Sequence, residues 1–250
     1  MALNRNALAA LALLVAPLAA RAEPGFSPGE QLDFTIDYLG VRTGQARISV
    51  GQPEGDIWPV IAQARTDGIA SILDIREHLV SYWDAAHRLP RGSDLQAIEI
   101  GDRHADSARF DRESGKAHIR VVRKGHRSEN TYDMDPVALD FASAILWLRF
   151  QPLAEGARYE VPVFTTKGTF VLVASVVGRD RLETRAGTFD ALKVSVGTNF
   201  AGNFASKRDT LIWFSADERH VPVRVSADFA VGSVVATLSG YHPGEAVARN

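Results

Sequence analysis

A curved antiparallel β-sheet or open half-barrel, wrapped around one long apolar helix at about residues 136–150, is the fold this sequence predicts. Three observations lead there. Short runs that alternate apolar and polar residues recur through most of the chain, the period-2 signature of half-buried strands. Polar or turn-forming residues separate these runs at regular intervals, as in antiparallel sheets and barrels. The segment Asp135–Phe150 is apolar on nearly every side, as expected of a helix enclosed by protein.

Leu32, Phe34, Ile36 and Tyr38 alternate with Asp33, Thr35 and Asp37, which buries one face of a first strand and wets the other. Gly40 to Gly44 reads as a turn, and Ala46, Ile48 and Val50 continue the alternation to complete a hairpin. A third strand follows at Trp58–Ala64, after the loop Gln52-Pro53-Glu54-Gly55-Asp56. Residues 68–73 read as a short helix passing into a strand that runs through Ser81-Tyr82-Trp83. Further strands are expected at Asp94–Ile100, Ser107–Phe110 and Ala117–Arg123, the last two joined by the hairpin loop Asp111–Lys116.

The helix begins, on this reading, at Asp135-Pro136, a cap residue followed by the proline that suits a first helical position. Past Pro152, strands are expected at Arg158–Phe164, Phe170–Val177, Ala191–Thr198, Thr210–Ser215, Val221–Asp228 and Ser233–Leu238. Gly178-Arg179-Asp180-Arg181, Arg185-Ala186-Gly187-Thr188 and Ala216–His220 read as their separators.

The first 22 residues carry an address. A weakly basic start with Arg5, an apolar run from Ala7 to Ala20, and the small-x-small pattern Ala20-Arg21-Ala22 predict an export signal cleaved after Ala22. About 14 apolar residues are too few to span a bilayer as a helix, which takes about 20. With no cysteine in the chain, a lipid anchor at the new N-terminus is excluded, and so are disulfides, thiol chemistry and cysteine-bound zinc. Residues 23–243 then form one β-rich periplasmic domain, and 244–250 a flexible tail. Loss of Arg5 and Arg21 takes the formal charge from −2 to −4, which gives nucleic acid and anionic lipid no electrostatic claim to be the main partner. No apolar stretch after residue 22 is long enough for a transmembrane helix.

Several segments, in order, resemble the exported bacterial family known as domain of unknown function 3108. They are Pro28-Gly29-Glu30 leading into Tyr38-Leu39-Gly40-Val41 and Gly44, then Leu148-Arg149 with Pro152-Leu153, then Gly187-Thr188-Phe189-Asp190-Ala191, and last Trp213-Phe214-Ser215-Ala216-Asp217 followed by Pro222-Val223. The resemblance implies a periplasmic, mostly antiparallel protein, similar to the half-barrel cradles of lipoprotein carriers. It implies no activity and no catalytic residues.

Read for chemistry, the chain offers little. His104 lies near Asp102 and Asp106, with His118 and His126 on nearby strands, but no spacing of a metal motif unites them, so no metal or other cofactor is expected. Ser215, Asp217 and His220 fall within one short turn, which suits a capped strand end better than a catalytic triad. Asp33 and Asp37 share a strand face about 13 Å apart, too far for a glycosidase pair. No catalytic residue is assigned.

Candidate ligand-binding residues are Arg149, Trp147, Phe200, Phe204 and Trp213. Arg149 at the helix end has two readings: it closes the negative helix terminus, or it faces a cavity and meets a headgroup or carboxylate. The aromatics either fill the core or line a pocket, and Phe200 and Phe204 sit in a small-residue loop suited to a partner. The leading expectation is a non-enzymatic periplasmic protein that binds an apolar or envelope-derived ligand or an envelope protein. The alternatives are an envelope glycan hydrolase and an interaction module that pairs by strand addition.

Overall fold

The computed structural model describes residues 25–165, 168–198, 209–229 and 232–245, so the expected export signal and the loop bearing Phe200 and Phe204 lie outside the described residues. The strands are β1 (Gln31–Tyr38), β2 (Val41–Val50), β3 (Ile57–Thr66), β4 (Arg76–Asp84), β5 (Leu89–Glu99), β6 (Asp102–Asp111), β7 (Lys116–Arg123) and β8 (His126–Asp133). After the helix α1 (Phe141–Leu148) come β9 (Arg158–Thr165), β10 (Gly168–Thr184), β11 (Gly187–Thr198), β12 (Thr210–Ser215), β13 (Pro222–Phe229) and β14 (Gly232–His242). They form a single antiparallel sheet in the order β8-β7-β6-β5-β4-β3-β2-β1-β14-β13-β12-β11-β10-β9. Strands consecutive along the chain are neighbours in the sheet, except β8 and β9, which form its two edges, and β1 closes the middle against β14.

The sheet rolls until its two edges nearly meet. Tyr132 on β8 and Phe110 on β6 both set their rings edge-on to Phe164 on β9, with centroids 6.2 and 5.9 Å apart. No ladder joins β8 to β9. Instead the connecting segment plugs the seam: Leu139 makes a parallel bridge to β9, donating its N–H to the Pro162 carbonyl and accepting from Phe164.

That bridge explains the one correction to the expected helix. Leu139 is extended, so helical geometry cannot start before Asp140, whose carboxylate caps the Ser143 N–H at 2.8 Å. The long apolar helix at 136–150 is therefore a two-turn helix at Phe141–Leu148. Asp135-Pro136 forms a turn instead, with the Asp135 carboxylate and carbonyl accepting from Val137 and Ala138. The apolar letters before it feed the bridge and the seam: Ala138 packs with Phe110, Ala117, Ile119 and Met134.

Other expectations change: the turn expected at Gly40–Gly44 is Leu39-Gly40, with β2 already begun at Val41. Gly178-Arg179-Asp180-Arg181 is no separator, because β10 continues through it with a register shift between Val176 and Gly178. Strand β8 was illegible, since His126–Asp133 has almost no apolar residue and stays exposed on both faces. The short helix is present as a 3-10 helix at Gly68–Leu73.

The meander gives the roll two ends. One end holds α1, the 25–30 segment and the β2–β3, β4–β5, β6–β7, β10–β11 and β12–β13 turns. The opposite rim holds the β1–β2, β5–β6 and β7–β8 turns and the β3–β4 connection.

Candidate functional site

The inner face of the roll divides into a filled and an unfilled half. Where α1 lies, Leu139, Ala144 and Leu148 pack on Val161, Val163, Leu172, Ala174, Val194, Ile212 and Phe214, all essentially closed to solvent. Cross-strand register places Ile36, Ala46, Ala62, Leu79, Leu95, Val234 and Ala236 on the same inner face, and none of them belongs to the cluster packed on the helix. These apolar side chains remain partly exposed. Several are alanines, which leave room that larger residues would fill. The result is a concave wall that α1 does not cover, apolar at these positions and bordered on the same face by Glu77, His104, Asp106 and Arg123.

The filled end is sealed by a buried polar network. Arg149 and Glu30, 1% and 3% exposed, form a bidentate pair, with Nη1 donating to Oε2 at 2.7 Å and Nη2 to Oε1 at 2.8 Å. Arg149 also donates to the carbonyls of Gly25 (2.9 Å) and Arg219 (3.2 Å), and its guanidinium lies 5.6 Å from the Phe26 ring centroid. Gly25 adopts φ +94°, and a side chain there would collide with the Phe150 ring. Tyr241 donates to Glu30 Oε1 and accepts from Arg219, which is held by Asp217. Burial, with the Glu30 carboxylate adding to it, pushes the Tyr241 phenol up to about 12.

Three of the five expected site residues have a place among the described residues. Arg149 neither caps the helix with its side chain nor opens onto a cavity; the carboxylate it meets is internal. Trp147 is half-buried, edge-on to Tyr159 with centroids 6.1 Å apart. Trp213 stands on the outer face, opposite Ile212 and Phe214, where its indole N–H donates to Asp180 at 2.7 Å and Lys193 and Arg224 flank the ring. Phe200 and Phe204 lie outside the described residues.

The other candidate groups are also dispersed. Ser215 donates to Asp217 at 2.7 Å and caps the Val221 N–H, while the His220 ring faces the Arg149 carbonyl at 3.0 Å. His118 meets Thr131 on the outer face, whereas His104 points inward near Arg123. Asp33 is held by Arg47 at 2.6 Å. Among the described residues no three His, Asp or Glu converge on a metal-sized site.

Sequence reasoning missed Glu30 as the partner of Arg149, because 119 residues separate them. It also missed the inner alanines, which carry no chemical signal. Yet four of the segments that carry the family resemblance meet at the sealed end: Pro28-Gly29-Glu30, Leu148-Arg149, Trp213–Asp217 and Pro222-Val223.

The family model described as Protein of unknown function (DUF3108) matches residues 33–239. The chain is similar in fold to a β-barrel-like protein of domain of unknown function DUF1849 from Brucella abortus, with a TM-score of 0.59 and 10% identity over 88% of this chain and 100% of that one. A candidate exported protein with a YmcC-like fold from Bacteroides fragilis is 14% identical, with a TM-score of 0.36 over 88% of this chain and all of that one. A candidate lipoprotein from Parabacteroides distasonis is also 14% identical at a TM-score of 0.36, over 89% of this chain and all of that one. No curated protein matches the sequence.

Proposed function

This chain belongs to the family Protein of unknown function (DUF3108), and from its own geometry we propose that it is an exported, non-enzymatic cradle for an apolar ligand. The observation that carries this reading is the uncovered half of the inner face, where Ile36, Ala46, Ala62, Leu79, Leu95 and Ala236 stay partly exposed on a curved sheet. A concave, mostly apolar wall of this kind is where small ligands sit. The leader at residues 1–22 supports delivery to the periplasm, where apolar molecules in transit need a protein to hold them. Arg149 and Trp147 act here as supports that set the floor of the cradle.

Native mass spectrometry of protein purified from the periplasm, followed by organic extraction, tests the reading. A stoichiometric apolar molecule is expected, and Leu95→Arg, which puts a charge on the inner wall, should abolish it while the protein stays folded. Protein that is always ligand-free, and that binds an apolar dye such as N-phenyl-1-naphthylamine no better than Leu95→Arg does, ends the proposal.

A further inference from the structure

Four of the seven large apolar residues exposed among the described residues sit on the rim opposite α1. They are Leu39 and Val41 at the β1–β2 turn, Ile72 in the 3-10 helix and Ile100 at the β5–β6 turn, each between 56% and 88% exposed. The other three are Val137 in the linker and Val171 and Val177 on β10. No described hairpin turn at the sealed end presents one; those turns read Gln52–Asp56, Ala85–Arg88, Arg112–Gly115, Arg185-Ala186 and Ala216–Val221.

The rim turns are built against local preference. Leu39-Gly40, Ile100-Gly101 and Lys124-Gly125 are two-residue hairpin turns with both residues at positive φ, from 50° to 52° for the first and 77° to 80° for the glycine. That geometry favours Asn or Asp before Gly. Leucine is strained there, and β-branched isoleucine is a genuine outlier. A fold that bears strain to keep an exposed aliphatic side chain at a turn tip points to a use for that side chain.

Cations stand among the tips. Arg103 follows the Ile100 turn and Lys124 forms the next turn along, and neither has a carboxylate partner among the described residues. The acids of the rim are mostly taken: Asp67 by Arg42, Asp74 by Arg76, and Asp102, on the inner face, by Arg123. Glu99 and Glu77 lie on the inner face.

We propose that this rim docks on a phospholipid bilayer, with Leu39, Val41, Ile72 and Ile100 entering the headgroup boundary and Arg103 and Lys124 contacting anionic headgroups. The spacing favours a bilayer over a folded partner. Tips on alternate hairpins are about 10 Å apart along the rim, so they form no continuous patch of the kind a stable protein interface needs. Separate exposed aliphatic side chains on one rim, with unpaired cations beside them, suit a membrane surface. Docking in this pose turns the open end of the roll toward the lipid, and it holds whether or not the inner face carries a ligand.

Co-sedimentation of the purified protein with vesicles of phosphatidylglycerol and phosphatidylcholine tests it. The wild type should sediment, and Leu39→Asn/Ile72→Asn/Ile100→Asn should bind at least about tenfold more weakly. Because Asn suits the two strained turn positions, that variant should melt no lower than wild type and about 2–4 °C higher if each turn relaxes. Arg103→Gln/Lys124→Gln should reduce the preference for phosphatidylglycerol over pure phosphatidylcholine by several-fold, as should added salt. Wild-type protein that stays in the supernatant at every lipid concentration overturns the proposal, and so does a triple variant that sediments as well as wild type. A wild-type dimer in light scattering that the triple variant abolishes also overturns it, since the tips would then serve a second copy.

Discussion

The two ends of the roll solve opposite problems. At the sealed end, Arg149 and Glu30 pair in a dry interior beside Phe26, Trp83 and Phe150, whose ring centroids lie 5.1–5.8 Å apart, and Tyr241, Arg219 and Asp217 extend the network to the surface. At the rim, aliphatic side chains face solvent and the inner wall is uncovered. Stability is therefore concentrated where α1 lies, and the other half is free to hold or touch something else. A sheet that is uniform in hydrogen bonding is thus strongly polarised in packing.

The sharpest way to break this contrast is to remove Glu30. Glu30→Ala leaves the Arg149 guanidinium buried without its counter-ion, which should cost about 3–5 kcal/mol and be read as a large drop in denaturant midpoint. Arg149→Lys should recover little, because one ammonium cannot reproduce the bidentate pair and the two carbonyl bonds. If Glu30→Ala is nearly neutral, the network is not what holds the sealed end.

A matched pair of truncations measures the gradient itself. Leu172→Ala, in the dry half, should cost about 3 kcal/mol, whereas Leu95→Ala, on the uncovered wall, should cost about 1 kcal/mol or less, because water or ligand already adjoins it. Equal costs by urea unfolding would mean both halves are packed alike. On the outer face, Trp213→Phe keeps most of the ring but loses the bond to Asp180, for an expected loss of about 1 kcal/mol.

How much of this was legible in the sequence follows from the range of the interactions involved. Period-2 runs such as Leu32–Tyr38 and Ala191–Thr198 report local burial, and they mark strands wherever one face is apolar. Strand β8 carries no such signal because its inner face is as wet as its outer one, so only pairing with β7 defines it. Asp135-Pro136 presents valid helix-start letters, but the hydrogen bonds of Leu139 to β9 override them. Arg149 was visible as an odd charge at the end of an apolar segment, while its partner depends on how the 25–30 segment returns to the helix. The unfilled wall is the least legible feature, since an alanine that leaves space and one that closes a contact are the same letter.

The smallest effect separates the two ends by the sign of their pH response. Burial is the main reason the His220 ring stays below its ordinary pKa of 6.5, outweighing its bond to the Arg149 carbonyl and the pull of Asp217. The folded protein thus holds a neutral ring whose Nδ1–H donates to that carbonyl, while the unfolded chain takes up a proton near 6.5. The stability from His220 is complete above that pH and is lost as the pH falls toward the lowered folded value. At the rim, Glu77 is raised from 4.5 by burial first and Glu99 second, so its contribution runs the other way, falling as the pH rises through the carboxylate range. Melting temperatures followed from about pH 7.5 down to about pH 5 should drop more steeply for wild type than for His220→Gln, which can still donate to the Arg149 carbonyl but carries no titrating group. Parallel curves would place the acid sensitivity outside the sealed end, whereas a shallower curve for the variant makes that end the part of the roll that acid loosens first.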